Sequence, residues 1–284
     1  MNSIIHTEAR AKINWCLNIT GKRPDGYHLL DMLMQRVSLS DTLFFAPDDR
    51  LTLSVFPDDT AISGDNLVLK AAEQLLRISP GHGARITLNK RIPMGAGMGG
   101  GSSDAAATLK ALNHMWGLGL QKEQLAEIAL SLGADVPFFI YDAPMRVRGV
   151  GENLTPVSLP AGICLLLIQA VPGLNTGKVF QLADRYNDVC CDTDIVLKAL
   201  LDGDFLMLER TAVNMLARPA FELSNGLNEV YRAILSTGPL LVRMTGSGSV
   251  LFGVYPDQKA AANAAARLRM QYPHAFICRT ETVS

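Results

Sequence analysis

Three sets of residues in this 284-residue chain have types and spacing that could do chemistry. The first is Pro93-Met94-Gly95-Ala96-Gly97-Met98-Gly99-Gly100-Gly101-Ser102-Ser103-Asp104. Ordering so many glycines is entropically costly, so a ligand is expected to repay it. A loop like this, running into a helix, can aim successive backbone N–H groups at one point. The helix end adds about half a positive charge there, a combination that suits phosphate. Gly95, Gly97 and Gly100 formally satisfy G-x-G-x-x-G. Pro93, however, interrupts the join from strand to glycines, and no acidic residue follows a second strand at the distance a dinucleotide site needs. A Walker A loop is excluded because no Gly-Lys-Ser/Thr follows. The His-Arg-Asp and Asp-Phe-Gly partners of a protein-kinase loop are missing too.

The second set is Lys12 and Asn14, and the third is Asp135. Residues 9–20 alternate: Ala9, Ala11, Ile13, Trp15, Leu17 and Ile19 share one parity, and Lys12, Asn14, Cys16 and Asn18 the other. Period two predicts a strand with one buried face and Lys12 beside Asn14 on the opposite face. There Lys12 could neutralise charge on a transferred group or lower a neighbouring pKa; it could equally be a solvated strand lysine. Asp135 follows a helix stop and precedes Val136-Pro137, on a turn that could present a carboxylate as a general base. An N-cap for a short helix starting there is an equally good reading of the position.

Other elements must hold these groups in place. Pro24-Asp25-Gly26 predicts a turn after the first strand. Strands are expected at 42–46, 51–56, 84–89, 163–169, 240–244, 250–255 and 275–280. Helices are expected at 66–77, 103–116, 122–132, 192–201, 204–217, 223–236 and 257–270. Leu109, Leu112 and Trp116 fall on one face of the helix after the glycines, and Gly117 and Gly133 would stop two helices. Strands and helices mix in both halves, which favours an α+β class. A boundary near residue 157 would divide the chain into 1–157 and 158–284.

Composition narrows the partners. Lys and Arg number 26 against 27 Asp and Glu, so no basic footprint for nucleic acid is expected. The longest apolar run, 163–168, is far short of the ~20 residues a membrane helix needs. The first residues carry no secretory pattern, and the five cysteines form no Cys-x-x-Cys pair, with Cys190 and Cys191 adjacent. Reduced thiols in a cytoplasmic protein with no nucleic-acid, membrane or protein partner are the expectation.

The glycine segment resembles the ATP loop of the GHMP small-molecule kinases. Ala11-Lys12-Ile13-Asn14, Gly21-Lys22-Arg23-Pro24-Asp25-Gly26-Tyr27-His28, Leu132-Gly133-Ala134-Asp135-Val136-Pro137-Phe138-Phe139 and Met244-Thr245-Gly246-Ser247-Gly248-Ser249 extend the resemblance in order through nearly the whole chain. The Arg-Pro-Asp-Gly-Tyr-His block narrows it to the branch whose acceptor is a cytidine diphosphate sugar alcohol of the non-mevalonate isoprenoid route. The resemblance implies a two-domain α+β fold, with an N-terminal domain like ribosomal protein S5 domain 2 and a ferredoxin-like C-terminal domain. It implies an ATP- and Mg²⁺-dependent kinase acting on the 2-hydroxyl of 4-diphosphocytidyl-2-C-methyl-D-erythritol. Lys12 and Asp135 would be catalytic. Residues Pro93 to Ser103 and Asn66 would hold ATP, with a helix cap as the alternative for Asn66. Asn14, Tyr27, His28, Thr176, Phe180, Gly246, Ser247 and Gly248 would hold the acceptor, Tyr27 and Phe180 lying against the cytosine faces. Arg10, Trp15-Cys16 and the segment 142–148 depart from the family pattern, and Arg146 and Arg148 are expected on a solvated strand face. A homoserine- or mevalonate-type acceptor, or a nucleotide-binding protein without catalysis, are the competing readings.

Overall fold

The computed structural model describes residues 4–57 and 66–284. Gly64 and Asp65, which precede Asn66 in its motif, lie outside the described residues. The chain divides into two compact units that interleave along the sequence. The first takes the chain up to Ala11, Ser40–Pro93 and Gly99–Asp142; the second takes Lys12–Leu39, Met94–Met98 and Ala143–Ser284. Two long strands, β1 (Ile5–Lys22) and β2 (His28–Pro47), therefore contribute to both units.

In the first unit, β4 (Ala84–Asn89) runs antiparallel to the second half of β2, Thr42 opposite Asn89. It runs parallel to β3 (Leu51–Phe56), Leu51 opposite Ala84. Three helices accompany this sheet: α1 (Leu67–Ile78), α2 (Gly100–Met115) and α3 (Lys122–Leu132), then a 3₁₀ turn at Pro137–Ile140. Alanines 105–107 let α2 lie close to α1, with Leu109 and Leu112 fully buried. Trp116 follows Leu112 by one turn and is half-buried. It ends the helix, donates its indole N–H to the Gly83 carbonyl at 3.3 Å and stacks on His82. Gly133 ends α3 in an extended conformation, φ 162°, rather than a left-handed one.

One buried ionic cluster anchors α2 in this unit. The Lys90 ammonium donates to Asp41 at 2.5 Å and to Asp104 at 2.7 Å. Asp41 also accepts the backbone N–H groups of Arg91 and Ile92, at 2.5 and 2.8 Å. Asp104 Oδ1 is buried with no hydrogen-bond partner. Two carboxylates thus share one ammonium, and Asp41 is much the better solvated of the two by protein donors. Burial accordingly pushes the Asp104 carboxyl up to about 7, against the pull of Lys90.

In the second unit, the first half of β2 pairs with β5 (Met145–Gly149), which pairs with β6 (Asn153–Pro156). A separate antiparallel sheet is built from β7 (Cys164–Gln169), β8 (Leu241–Met244), β9 (Leu251–Tyr255) and β10 (Phe276–Glu281), in the order β10-β7-β9-β8. With α9 (Gln258–Gln271) between β9 and β10, this is the split β-α-β-β-α-β arrangement the resemblance implies. Five further helices lie between β7 and β8: α4 (Thr176–Ala183), α5 (Thr193–Asp202), α6 (Phe205–Thr211), α7 (Ala217–Leu223) and α8 (Asn225–Leu235). The helix expected over 204–217 is thus broken. Leu17 of β1 donates to the Val213 carbonyl and accepts from the Met215 N–H, so the chain there pairs with a strand.

The strand expected at 9–20 is present, but residues 11–18 are buried on both faces. Segments of the same unit, at 191–193 and 245–246, cover the polar face through Asn14 and Asn18. Lys12, 3% exposed, is not a solvated strand lysine. Arg146 is likewise not on a solvated face: its guanidinium binds both oxygens of Asp31, at 2.9 and 2.7 Å, and reaches Asp194.

The ionic cluster gives a prediction with a sign. A carboxyl whose folded pKa is raised stabilises the fold below its unfolded pKa, and that contribution is lost as pH rises through the folded value. Urea unfolding of wild type should show stability falling between about pH 4 and about pH 7 from this group, and Asp104→Asn should remove that slope. Asp41→Ala, which leaves Lys90 with Asp104 alone and strips the Arg91 and Ile92 N–H groups of their acceptor, should cost about 1–3 kcal/mol.

Candidate active site

The glycine segment is fixed by backbone contacts. In the second unit the Ala96 carbonyl accepts from Val250 N–H at 3.3 Å, and the Met98 carbonyl from Lys12 N–H at 3.0 Å. Both side chains are buried, so Ala96 and Met98 could offer a ligand only their backbone. Gly97 has φ 74°, and a Cβ there would lie 2.3 Å from the Thr245 carbonyl oxygen. The turn that follows β8 answers in kind, since a Cβ on Gly246 would lie 2.6 Å from the Gly97 carbonyl. These two glycines are required by each other, whatever the loop binds.

The end of the segment behaves differently. Gly99 caps α2 in the left-handed conformation, φ 68°, and offers no side-chain oxygen to the first turn. The N–H groups of Gly100, Gly101 and Ser102 are those a helix cannot bond internally, while Ser103 N–H bonds back to the Gly99 carbonyl at 2.8 Å. A first turn left uncapped by side chains, with the positive end of the dipole behind it, is the arrangement that receives phosphate. Pro93 precedes it in the same unit. Asn66 caps α1, its Oδ1 accepting from Val68 N–H at 2.9 Å, so the capping alternative expected for it is realised. Asp135 sits half-buried on the turn after α3. The 3₁₀ turn that follows it starts at Pro137, with Val136 already in a helical conformation.

In the second unit Asn14 is the organising group. Its Oδ1 accepts from the Lys12 ammonium at 2.5 Å, from Gly246 N–H at 3.1 Å and from the Thr245 hydroxyl at 3.4 Å. The buried ammonium is thereby oriented by the carboxamide. Ser247, in the same turn, shares a hydrogen bond with Thr176 at 2.8 Å, which brings the start of α4 to Gly246, Ser247 and Gly248.

Tyr27 and His28 lie where the Arg23–Gly26 turn enters β2. Tyr27 is 65% exposed, available to a flat ligand. His28 stacks on Phe180, with ring centroids 4.8 Å apart and planes at 24°. Its Nε2 is 2.7 Å from Asp184, which also holds Lys22 at 2.5 Å. Hydrogen bonds from Lys22 and His28 hold the Asp184 carboxyl below its ordinary range. One face of Phe180, expected against cytosine, is thus occupied by an imidazole.

Comparisons with known proteins agree with this arrangement. The GHMP kinases N terminal domain matches residues 66–143, and the GHMP kinases C terminal family matches residues 196–274. A 4-diphosphocytidyl-2-C-methyl-D-erythritol kinase of Rhizobium johnstonii is 42% identical over 290 residues, covering 99% of this chain and 94% of its own. The chain belongs to the 4-diphosphocytidyl-2-C-methyl-D-erythritol kinase family of GHMP kinases. A relative with the same name from Symbiobacterium thermophilum is 38% identical, covering 96% of this chain and 98% of its own. A crystal structure of 4-(cytidine 5'-diphospho)-2C-methyl-D-erythritol kinase matches with a TM-score of 0.83 at 34% identity, over 99% of this chain and 100% of that one. A homoserine kinase from Cytophaga hutchinsonii, 18% identical with a TM-score of 0.77, shares the fold.

Several groups that shape this GHMP kinase's site escaped sequence reasoning. Asn214 donates to the Met244 and Gly246 carbonyls at 2.8 and 2.9 Å and so fixes the turn that meets Gly97. It lies inside an expected helix, and no local pattern marks it. Asp184 orients His28 from a segment 156 residues away. The partners of Lys90 come from two other elements, and only the order Lys90-Arg91-Ile92-Pro93 at the loop entrance hinted at a fixed junction.

The two kinds of glycine predict opposite outcomes. Gly97→Ala forces an unfavourable φ and a clash with backbone, and should cost about 2 kcal/mol or more. A Cβ at Gly101 would meet only Leu67, at 3.7 Å, so Gly101→Ala should be neutral or stabilise by up to about 1 kcal/mol. Thermal unfolding of the two variants checks the contrast.

Proposed function

We propose that this chain is an ATP-dependent kinase that phosphorylates the 2-hydroxyl of 4-diphosphocytidyl-2-C-methyl-D-erythritol, in the non-mevalonate route to isoprenoid precursors. The observation that carries the reading is similarity over 99% of the chain to relatives bearing that kinase's name. The Tyr27–His28 turn supports it, since a homoserine- or mevalonate-type acceptor has no base to stack. In this reading residues 1–157 form the ATP-binding domain and 158–284 the C-terminal domain of a cytoplasmic enzyme with small-molecule partners.

Phosphoryl transfer depends on positioning and charge compensation more than on covalent chemistry. The amides at the start of α2, with Pro93 to Ser103, receive the ATP phosphates, and Asn66 lies toward the adenine. Lys12, held by Asn14, neutralises charge developing on the transferred group. Asp135 accepts the proton of the attacking hydroxyl. Tyr27 stacks on the cytosine, His28 and Phe180 line the same subsite, and Thr176, Gly246, Ser247 and Gly248 approach the diphosphate and sugar.

Among the described residues, no three His, Cys, Asp or Glu side chains gather at metal-binding spacing. Asp104, the acid next in sequence to the glycine segment, gives one oxygen to Lys90 and buries the other. A Mg²⁺ accompanying ATP fits these donors only if phosphates and water supply most of its ligands, as is usual for this ion. Its contribution there is neutralisation of phosphate charge.

ATP turnover measured with the cytidine substrate, homoserine and mevalonate should be stimulated by the first alone; stimulation by neither of the three sinks the enzyme reading. Asp135→Asn should lower kcat by roughly 10²–10⁴, the scale of a lost general base. Tyr27→Ala should weaken the cytidine substrate by about 1–3 kcal/mol in calorimetry, with ATP binding unchanged.

A further inference from the structure

One carboxylate closes the turn that carries Tyr27 and His28. Lys22 ends β1, His28 opens β2, and Asp184, the residue that caps α4, bonds to both. Its Oδ2 accepts from the Lys22 ammonium at 2.5 Å, and its Oδ1 lies 2.7 Å from His28 Nε2. Within the turn, Arg23 N–H donates to the Tyr27 carbonyl at 2.8 Å and Gly26 N–H to the Arg23 carbonyl at 3.0 Å. Phe180 and Asp184 stand four residues apart at the end of α4 and so share a face. Phe180 meets the face of the imidazole, with ring centroids 4.8 Å apart, while Asp184 takes one of its edges. The plane of the ring and its rotation within that plane are thereby both fixed.

The same contacts decide where the ring hydrogen sits. An ionised carboxylate accepts hydrogen bonds and donates none, and Lys22 and His28 hold the Asp184 carboxyl below its ordinary range. His28 Nε2 must therefore carry the hydrogen of the 2.7 Å bond. In a neutral imidazole the other nitrogen is then an acceptor. Among the described residues Nδ1 has no hydrogen-bond partner, and it is not sealed from solvent. Tyr27, next to it in the chain, is the exposed aromatic of the turn.

We propose that Asp184 is a positioning residue which, by holding His28 as the Nε2–H tautomer, makes this subsite select a 4-aminopyrimidine over a 4-oxopyrimidine. The proposal rests on the reading that the Tyr27–His28 turn receives the cytosine. Cytosine offers a 4-amino donor beside an unprotonated N3; uracil reverses both, with a 4-oxo acceptor beside N3–H. The two bases share an outline and both stack on an aromatic face, so a ring such as Tyr27 does not tell them apart. The lone pair at Nδ1 does. It takes a hydrogen bond from the 4-amino group, whereas opposite a 4-oxo group it faces a second lone pair with no hydrogen between them. Leaving a desolvated acceptor unpaired is the mismatch that polar sites reject most strongly.

Calorimetry with cytidine diphosphate and uridine diphosphate tests this without kinase turnover. Wild type should bind the cytidine nucleotide about tenfold more tightly, or better. Asp184→Asn should abolish or reverse that preference. Lys22, a donor only, would claim the amide oxygen and turn the NH2 group to Nε2, moving the ring hydrogen to Nδ1, where it suits a 4-oxo group. A merely structural role for Asp184 would weaken both nucleotides alike and leave their ratio unchanged, which would overturn the proposal. Nuclear magnetic resonance supplies a measurement on wild type itself. With isotope-labelled histidine at about pH 8, a two-bond proton–nitrogen spectrum should show the Nε2–H tautomer for His28, assigned by its loss in His28→Gln. An Nδ1–H tautomer, a ring protonated at both nitrogens, or equal binding of the two nucleotides by wild type would each overturn the proposal. Wild type that binds neither nucleotide would overturn it too, while ATP turnover with the complete cytidine substrate decides the kinase reading separately.

Discussion

A single carboxamide oxygen, Asn14 Oδ1, accepts from the Lys12 ammonium, the Gly246 amide and the Thr245 hydroxyl. Those three donors belong to a strand and to the turn after β8, so one acceptor sets the register between them. Because the donors are buried, losing that oxygen would leave each to bear its own desolvation cost. The Gly97–Gly246 approach depends on that turn being where Asn14 and Asn214 hold it.

How much of this could be read from residue order depended on whether the information was local. The alternation at 9–20 correctly gave β1, because one face of that strand is uniformly apolar. It misjudged the other face, because the groups covering it come from residues 191–193 and 245–246. The first half of β2 was not recognised as a strand. Met32, Leu33 and Met34 are all buried, and a strand buried on both sides shows no alternation. The helix over 204–217 failed for a related reason: its sequence has helical spacing, but Leu17 takes the backbone at 213–215 into a strand pairing. Turn chemistry fared better, as Pro24-Asp25-Gly26 shows, since the residues involved make their own bonds.

The glycine segment was legible as important but only partly for the reason first given. Entropic cost argued for a ligand to repay it, and the uncapped start of α2 is consistent with that. Gly97, however, is repaid within the protein, by backbone that approaches too closely for any side chain. One run of glycines thus answers two demands, tight packing at its first part and open amides at its last. The near-zero net charge is compatible with anion binding for the same reason: peptide dipoles at a helix start supply a positive field without adding basic residues.

The interleaving of the two units has a consequence for synthesis on the ribosome. β1 emerges first, yet its polar face can be covered only when residues 191–193 and 245–246 have been made. The first half of β2 waits for β5, and Val37 bridges to Thr282, 245 residues later in the chain. Such long loops must close before their contacts contribute, which slows folding. A nascent chain stopped at residue 157 would hold both long strands with Lys12, Asn14, Cys16 and Asn18 open to water. The N-terminal half therefore leaves the polar face of its own first strand uncovered until residues made much later can bury it.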